Sequence, residues 1–93
     1  METPLVSIII PTFNRATLIG ETIQSVIDQT YKHWELIIVD DGSTDDTAAI
    51  ISSYVDTRIQ YYCIAHCGIM GKVRNYGMKL SVGAYIAFLD SDD

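Results

Sequence analysis

Four short apolar runs alternate with three amphipathic segments along this chain, and the alternation constrains the fold more than any other feature. The apolar runs are LVSIII (5–10), WELIIV (34–39), RIQYYC (58–63) and AYIAFL (84–89). Runs of this length rich in β-branched and aromatic residues predict strands, and nearly continuous ones predict strands covered on both faces. The third run mixes in polar residues, which predicts a strand near a sheet edge.

The segments between the runs carry the apolar spacing of amphipathic helices. The predicted inward-facing residues are Ile19, Ile23, Val26 and Ile27 in the first helix, Ala48, Ile51 and Val55 in the second, and Ile69, Val73, Tyr76 and Leu80 in the third. The first helix is predicted over 17–29. Ser43 and Asp46 resemble a capping box ahead of the second helix. Gly71 and Gly77 are expected to weaken the third helix by about 1 kcal/mol each relative to alanine.

Strand and helix in strict alternation predict a mainly parallel sheet of about four strands, joined by three right-handed crossover helices. The fold class is therefore α/β, a Rossmann-like part of a doubly wound domain. The length of 93 residues and a 48% hydrophobic content suit one domain with a real core. The whole chain, 1–93, is predicted to be a single domain.

Charge and apolar run length exclude several classes of protein. The formal net charge of -6 argues against binding to nucleic acid and against electrostatic docking to anionic lipid. No apolar run approaches the roughly 20 residues that span a bilayer, so neither a transmembrane segment nor a signal peptide is predicted. Two cysteines do not make a disulfide framework. We expect a cytoplasmic location, which includes the inner face of the membrane.

Three polar turns come directly after predicted strands. PTFN (11–14) follows the first strand, DDGS (40–43) the second, and DSDD (90–93) the fourth. Because ligands of parallel α/β sheets bind at the carboxyl ends of the strands near a switch point, these turns are predicted to line one site. Two carboxylates about 4 Å apart repel by roughly 4 kcal/mol at an effective dielectric near 20, so a cation or hydrogen-bond donors must offset them.

The Asp-x-Asp spacing of Asp90 and Asp92 suits a hard divalent cation, Mg²⁺ or Mn²⁺. Such an ion lets a net acidic protein hold a polyphosphate. Asp40 and Asp41, with Gly42 permitting a tight turn, can instead present a carboxylate to a base or a ribose. Aspartate in a turn also has an ordinary structural role as a backbone acceptor. The convergence of the acidic turns on one sheet edge favours a ligand site over that structural role.

Other polar residues carry weaker signals. Cys63, His66 and Cys67 have the spacing C-x-x-H-C, which lacks a fourth ligand and disfavours zinc. Arg74 lies near the predicted binding edge and is a candidate phosphate ligand. No G-x-G-x-x-G follows the first strand and no Walker pattern is present, which disfavours dinucleotide and P-loop sites.

Longer segments around these turns carry a family resemblance. VSIIIPTFNR, ETIQSVIDQTYKHWELIIVDDGSTDDT, RNYG and GAYIAFLDSDD resemble the family 2 glycosyltransferases with the GT-A fold, in order and at family-like spacing. The resemblance covers nearly the whole chain. It implies an enzyme that takes a sugar from a nucleotide donor, usually a UDP-sugar, and transfers it to an acceptor hydroxyl with inversion at the anomeric carbon.

The resemblance also implies a role for each motif residue. The nucleotide pocket would be bordered by Pro11, Thr12, Phe13 and Asn14. Asp41 would accept a hydrogen bond from uracil, with Asp40 beside it, and Arg74 is counted with the nucleotide-binding residues. Asp90 would hold the ribose side. Asp92, in the DXD motif, would ligate the Mn²⁺ or Mg²⁺ ion on the diphosphate.

The family's catalytic base and acceptor-binding region would follow Asp93, so we expect these residues to be the donor half and inactive alone. The acceptor, whether glycan, lipid or protein, is not indicated. Two other classes stay open. A phosphoacceptor receiver-like domain is disfavoured because the first strand ends in PTFN rather than an acidic pair. The second open class is a noncatalytic nucleotide-binding or self-association module. In such a module an uncovered sheet edge would produce a homo-oligomer.

Overall fold

The structure is a computed structural model and describes residues 3–90. Its elements, in chain order, are β1 (Val6–Thr12), α1 (Ala16–Asp28), β2 (Trp34–Asp40), α2 (Thr47–Ser52), β3 (Ile59–Cys63), α3 (Met70–Leu80) and β4 (Tyr85–Phe88). The predicted alternation of strands and helices is confirmed. Within the described range, no helix is both long and apolar enough to cross a membrane.

The four strands form one parallel sheet in the order β3-β2-β1-β4. The edge position predicted for the third strand is confirmed. The chain steps outward from β1 to β2 to β3 and then crosses back to add β4 on the other side of β1. This reversal is a topological switch point, where loops diverge and leave a crevice at the carboxyl edge of the sheet.

The core has one apolar cluster on each face of the sheet. The cluster beneath α1 and α2 contains Ile8, Ile10, Ile19, Ile23, Val26, Trp34, Leu36, Ile38 and Ile51. The cluster beneath α3 contains Ile9, Ile37, Val39 and Val73. Consecutive residues along β1, and likewise along β2, thus point to opposite faces of the sheet, and both faces are buried. This two-sided burial is why these strands read as nearly continuous apolar runs.

The predicted face of α2 is wrong at two positions. The helix ends at Ser52, so Val55 lies beyond it and is 99% exposed. Ala48 is also exposed, whereas Thr47 and Ile51 are the buried residues of the helix. With only six residues, α2 has too few turns to extend an apolar stripe as far as Val55.

The predicted capping box of Ser43 and Asp46 is not formed. Asp46 occupies the N-cap position without a side-chain capping bond. The carboxylate of Asp45 instead accepts from the backbone N–H of Thr47 at 3.0 Å and from that of Ala16 at 3.2 Å. One side chain therefore satisfies donors at the first turns of both α1 and α2, and it ties the two helix starts together.

The predicted face of α3 is also wrong in part. Val73 and Gly77 are the buried residues of the helix, whereas Ile69 and Tyr76 are exposed. A Cβ atom on Gly77 would lie 2.6 Å from Cγ2 of Ile9. The glycine that was expected only to weaken the helix is the residue that lets α3 approach the sheet closely.

Candidate functional site

The turns after β1 and β2 are bonded into one surface at the carboxyl edge of the sheet. β1 ends at Thr12, whose carbonyl accepts from the backbone N–H of Asp41 at 2.9 Å. The backbone N–H of Asn14 donates to Oγ of Ser43 at 2.8 Å. Oδ1 of Asn14 accepts from the backbone N–H of Thr44, also at 2.8 Å. The predicted convergence of these two turns therefore rests on direct hydrogen bonds.

Asn14 makes the sharp change of direction between β1 and α1. Its φ of 49° is the only positive value for a non-glycine residue in the described part of the chain. Asparagine tolerates this left-handed conformation because its short amide can bond nearby backbone, as Asn14 does with Thr44. The turn therefore holds its shape through both backbone conformation and side-chain bonding.

Asp40 is fully buried and its carboxylate serves the turn that follows it. Oδ1 accepts from the backbone N–H of Ser43 at 2.8 Å and from the hydroxyl of Ser43 at 2.5 Å. Oδ2 accepts from the Tyr61 hydroxyl at 2.6 Å. Burial and the Asp40 carboxylate raise the pKa of Tyr61 far above its ordinary value, so the phenol stays protonated and donates. Both Asp40 oxygens are thus engaged by donors of the protein itself.

Asp41 holds the segment that follows β3. Its Oδ1 accepts from the backbone N–H of Cys67 at 2.9 Å, and its Oδ2 from that of Gly68 at 3.0 Å. Nδ1 of His66 lies 3.0 Å from Oδ2. Burial by itself raises the pKa of Asp41, but these donors outweigh burial and hold the pKa below its ordinary value. The carboxylate is therefore ionised and fixed at the sheet edge.

Gly42 permits this close approach. Its φ is 73°, and a Cβ atom there would lie 2.9 Å from the backbone nitrogen of His66. The glycine of the DDGS turn therefore has two functions, since it allows the left-handed turn and leaves room for the segment after β3.

His66 is a site residue that the sequence patterns did not identify, since they raised it only as a zinc ligand. Its ring stacks on Phe13, with the ring centroids 4.4 Å apart and the planes inclined by 23°. The missed signal was topological. β3 is parallel to β1 and β2, so the residues that follow it reach the same sheet edge as PTFN and DDGS.

Thr12 has a buried hydroxyl at this edge. Within residues 3–90, Oγ1 of Thr12 and Nε1 of Trp34 are the buried side-chain polar atoms that lack a hydrogen-bond partner. Trp34 begins β2, at the other end of the sheet, where the Arg58 guanidinium covers its ring at 3.8 Å. An unpaired buried hydroxyl costs about 1–3 kcal/mol, so its position at the candidate site fits a site that a ligand completes.

Arg74 of α3 is paired with Asp90, which follows β4. Nη2 of Arg74 is 3.4 Å from Oδ1 of Asp90, and both side chains are partly exposed. The predicted metal ligand, Asp92, lies outside the described residues, as does Asp93. Among residues 3–90, no three His, Cys, Asp or Glu side chains are grouped so that they could hold a metal ion.

The stretch of sequence that contains these turns is matched by a model of one protein family. The model described as "Glycosyl transferase family 2" matches residues 7–93. The chain belongs to glycosyl transferase family 2. The predicted family is thereby confirmed, and the receiver-like alternative is left without support.

One family 2 relative is UDP-Glc:alpha-D-GlcNAc-diphosphoundecaprenol beta-1,3-glucosyltransferase WfaP of Escherichia coli. It is 48% identical over 89 residues, a match that covers 96% of this chain and 36% of WfaP. WfgD of Escherichia coli, which bears the same enzyme name, is 41% identical over 93 residues, with 37% of its own length covered. The chain thus spans about a third of the length of these curated relatives.

Solved structures of larger proteins contain the same fold. TarS of S. aureus, in complex with UDP-GlcNAc, has a TM-score of 0.89 and 33% identity, and the match covers 94% of this chain and 26% of TarS. Mannosyltransferase PcManGT of Pyrobaculum calidifontis, in complex with GDP-Man and Mn²⁺, has a TM-score of 0.89 and 25% identity over 98% of this chain and 28% of its own. The predicted Rossmann-like GT-A fold is confirmed.

Proposed function

We propose that this chain forms the donor side of a glycosyltransferase and binds a nucleoside diphosphate sugar, with a UDP-sugar as the first candidate. The observation that carries the proposal is that the turns after β1 and β2 are bonded to each other, and that the ionised carboxylate of Asp41 holds the segment after β3 against them. Membership of family 2 supports it, as does the likeness to proteins solved with UDP-GlcNAc and GDP-Man.

The nucleoside is proposed to lie against the turn 11–14 and the carboxylate of Asp41, with Asp90 on its ribose side. Arg74 is the proposed phosphate contact, because its guanidinium is partly exposed and lies 3.4 Å from Asp90, at the carboxyl end of β4 next to the switch point. Asp40 is proposed to have an indirect role. Its oxygens accept from Ser43 and Tyr61 and thereby hold the turn that carries Asp41.

A divalent cation, Mg²⁺ or Mn²⁺, is proposed to bridge the protein and the diphosphate. Asp92 is the proposed ligand, and Asp90 lies two residues before it in the Asp-x-Asp turn. Carboxylate oxygens are the ligands that these hard ions prefer, and a chain of net charge -6 needs a cation to hold a diphosphate. A bound ion would supply Lewis-acid stabilisation of charge on the leaving diphosphate.

Transfer to an acceptor hydroxyl with inversion is proposed on the strength of the family resemblance. Such a reaction needs a general base within reach of the acceptor hydroxyl, and we assign none among residues 1–93. Because the chain spans 36% of WfaP, we propose that these residues bind the donor and do not transfer the sugar alone. A cytoplasmic location stays a prediction, and the acceptor stays open.

Calorimetry with UDP tests the donor and metal proposals together. The wild-type chain is expected to bind UDP, and the affinity is expected to rise when Mn²⁺ or Mg²⁺ is added and to fall with EDTA. Asp92→Asn is expected to remove most of the metal effect. Asp28→Asn is the matched control, because Asp28 is exposed on α1 and bonds only with the nearby Gln24. A folded wild-type chain with no metal-dependent UDP binding would contradict the proposal.

A second candidate function is self-association, which the exposed strand β4 favours. β4 lies at a sheet edge, and its side chains Tyr85, Ile86 and Phe88 are exposed. Exposed apolar edge strands tend to pair with other chains, so we propose a homo-oligomer at high concentration. Light scattering is expected to give a mass above that of one chain, and Phe88→Lys is expected to lower it. A monomer mass at all concentrations would contradict this candidate.

A further inference from the structure

His66 lies in the candidate site in a more constrained position than a surface histidine normally occupies. Its ring stacks on Phe13, which belongs to the turn after β1. Its Nδ1 is 2.9 Å from the backbone oxygen of Asp41 and 3.0 Å from Oδ2 of the same residue. One side chain therefore contacts the two turns against which the nucleoside is proposed to lie.

The contacts of Nδ1 determine which nitrogen of the His66 ring carries hydrogen. Both partners of Nδ1 are oxygens of Asp41, a carbonyl and a carboxylate, and each can only accept a hydrogen bond. Nδ1 must therefore be the protonated nitrogen. In the neutral ring Nε2 then carries a lone pair and is a hydrogen-bond acceptor.

Among residues 3–90, the polar contacts of the His66 ring are made by Nδ1, which leaves Nε2 without a hydrogen-bond partner there. The His66 side chain is 51% exposed, and the residue next to Nε2 is Gly68. A Cβ atom on Gly68 would lie 3.8 Å from Nε2, so any larger residue would extend a side chain beside this atom. The φ of 70° at Gly68 keeps the segment turned back onto Asp41 while leaving the acceptor uncovered.

The ring is held in this position by the backbone around it. Asp41 accepts from the N–H groups of Cys67 and Gly68, the two residues that follow His66. Gly42 passes so close to the backbone of His66 that it has no room for a side chain. An acceptor that is already ordered loses little conformational entropy when a ligand binds, which favours a recognition role.

We propose that His66 is a nucleoside-binding residue, whose Nε2 accepts a hydrogen bond from the nucleoside part of the donor while Phe13 and Asp41 hold the ring. This inference rests on the proposed donor function. A uridine nucleotide has two kinds of group that can donate to such an atom, the imide N–H of the base and the ribose hydroxyls. The pyrophosphate part has no such donor, so its binding is not expected to depend on His66.

Calorimetry with His66→Phe tests the proposal, because phenylalanine keeps a ring to stack on Phe13 but has no nitrogen. The dissociation constant for UDP with Mg²⁺ is expected to rise roughly fivefold, the usual effect of losing one hydrogen bond. The dissociation constant for inorganic pyrophosphate with Mg²⁺ is expected to stay unchanged. If UDP with a methyl group on N3 of the base is affected as strongly as UDP, a ribose hydroxyl is the donor. If only UDP is affected, the donor is the base imide.

His33→Phe is the matched control, since His33 is the other histidine and lies just before β2, at the opposite edge of the sheet. It is expected to change neither dissociation constant. Unchanged UDP binding by folded His66→Phe would overturn the proposal and leave the donor function intact, as would equal loss of UDP and pyrophosphate binding. A wild-type chain that binds no UDP would contradict the donor function itself.

A measurement on the wild-type chain keeps the proposal testable if the variant does not fold. At a pH at which the His66 ring is neutral, its nitrogen-15 spectra are expected to show hydrogen on Nδ1 and a free lone pair on Nε2. Saturation with UDP is expected to move the Nε2 resonance in the direction of a hydrogen-bonded acceptor. An Nε2 resonance that does not change at saturation would overturn the proposal.

Discussion

At the scale of single residues, the carboxylate of Asp41 organises the candidate site. It joins the turn after β2 to the segment after β3 through the backbone of Cys67 and Gly68. Its neighbour Asp40 looks equivalent in the sequence but is enclosed by Ser43 and Tyr61. Two adjacent aspartates therefore have different functions, because successive residues at a strand end point in opposite directions.

The lowered pKa of Asp41 predicts a specific dependence of stability on pH. A carboxyl whose folded pKa lies below its unfolded value near 3.8 stabilises the fold above that pH, and the contribution is lost as the pH falls through the folded pKa. The free energy of unfolding should thus decrease on acidification below about pH 4. Denaturant titrations at several pH values would measure this decrease.

Asp41→Asn is the variant that isolates this contribution. Its free energy of unfolding should be lower than that of the wild type at neutral pH, and the two should converge as the pH falls. Asp28→Asn, exposed on α1, should keep the acid dependence of the wild type. Parallel curves for wild type and Asp41→Asn across the whole acidic range would contradict the assignment of an ionised, hydrogen-bonded Asp41.

At the scale of elements, the packing of α3 on the sheet depends on Gly77. A Cβ atom there would lie 2.6 Å from Ile9 and 3.3 Å from Val39. Alanine is the better helix former by about 1 kcal/mol, but overpacking of a tight contact typically costs about 1–3 kcal/mol. Gly77→Ala should therefore lower the free energy of unfolding, as measured by denaturant titration.

Gly71→Ala is the matched control on the same helix. No atom lies within 4 Å of the position that its Cβ would take. This substitution should therefore leave stability unchanged or raise it by up to about 1 kcal/mol. Changes in stability of the same direction and similar size in the two alanine variants would contradict this role of Gly77 in α3 packing.

Strands were easier to predict than helix faces, for a physical reason. A strand buried on both faces is nearly continuously apolar, as LIIV of β2 and III of β1 illustrate, so its location can be predicted from the run of apolar residues. The faces of α2 and α3 depended on where α2 ends and on a glycine, Gly77, whose contact with Ile9 no periodicity encodes. Local patterns report hydrophobic burial but not the close approach of two backbones.

Contacts between residues that are far apart in the sequence explain the other differences between the predicted and the observed structure. Glu35 lies inside a buried strand, and its Oε2 accepts from Ser7, 28 residues away, and from the backbone of Val82, 47 residues away. His66 meets Phe13 and Asp41 in the same way, across turns from three different strands. Such pairings depend on the strand order, which a list of predicted elements does not specify. The polar turns themselves, PTFN and DDGS, were predictable because each follows an apolar run.

At the scale of the whole molecule, the strand order β3-β2-β1-β4 determines where the candidate site lies. It brings the turns after β1, β2 and β3 together at one edge and opens a crevice beside β4. The net charge of -6 is the second property of the whole chain that matters, since a compensating cation would strengthen the binding of a diphosphate to it. Fold and charge together are consistent with the metal-assisted nucleotide site that we propose.

A nitrogen-15 NMR titration of the chain with UDP and Mg²⁺ shows at which edge of the sheet the nucleotide binds. The largest amide shifts are expected at the carboxyl edge of the sheet, around Phe13, Asp41 and Gly68, with little change at the opposite edge. The opposite edge has its own shallow pocket, lined by residues that include Tyr31 and His33. Shifts centred on that pocket, or none at saturating UDP, would contradict the account.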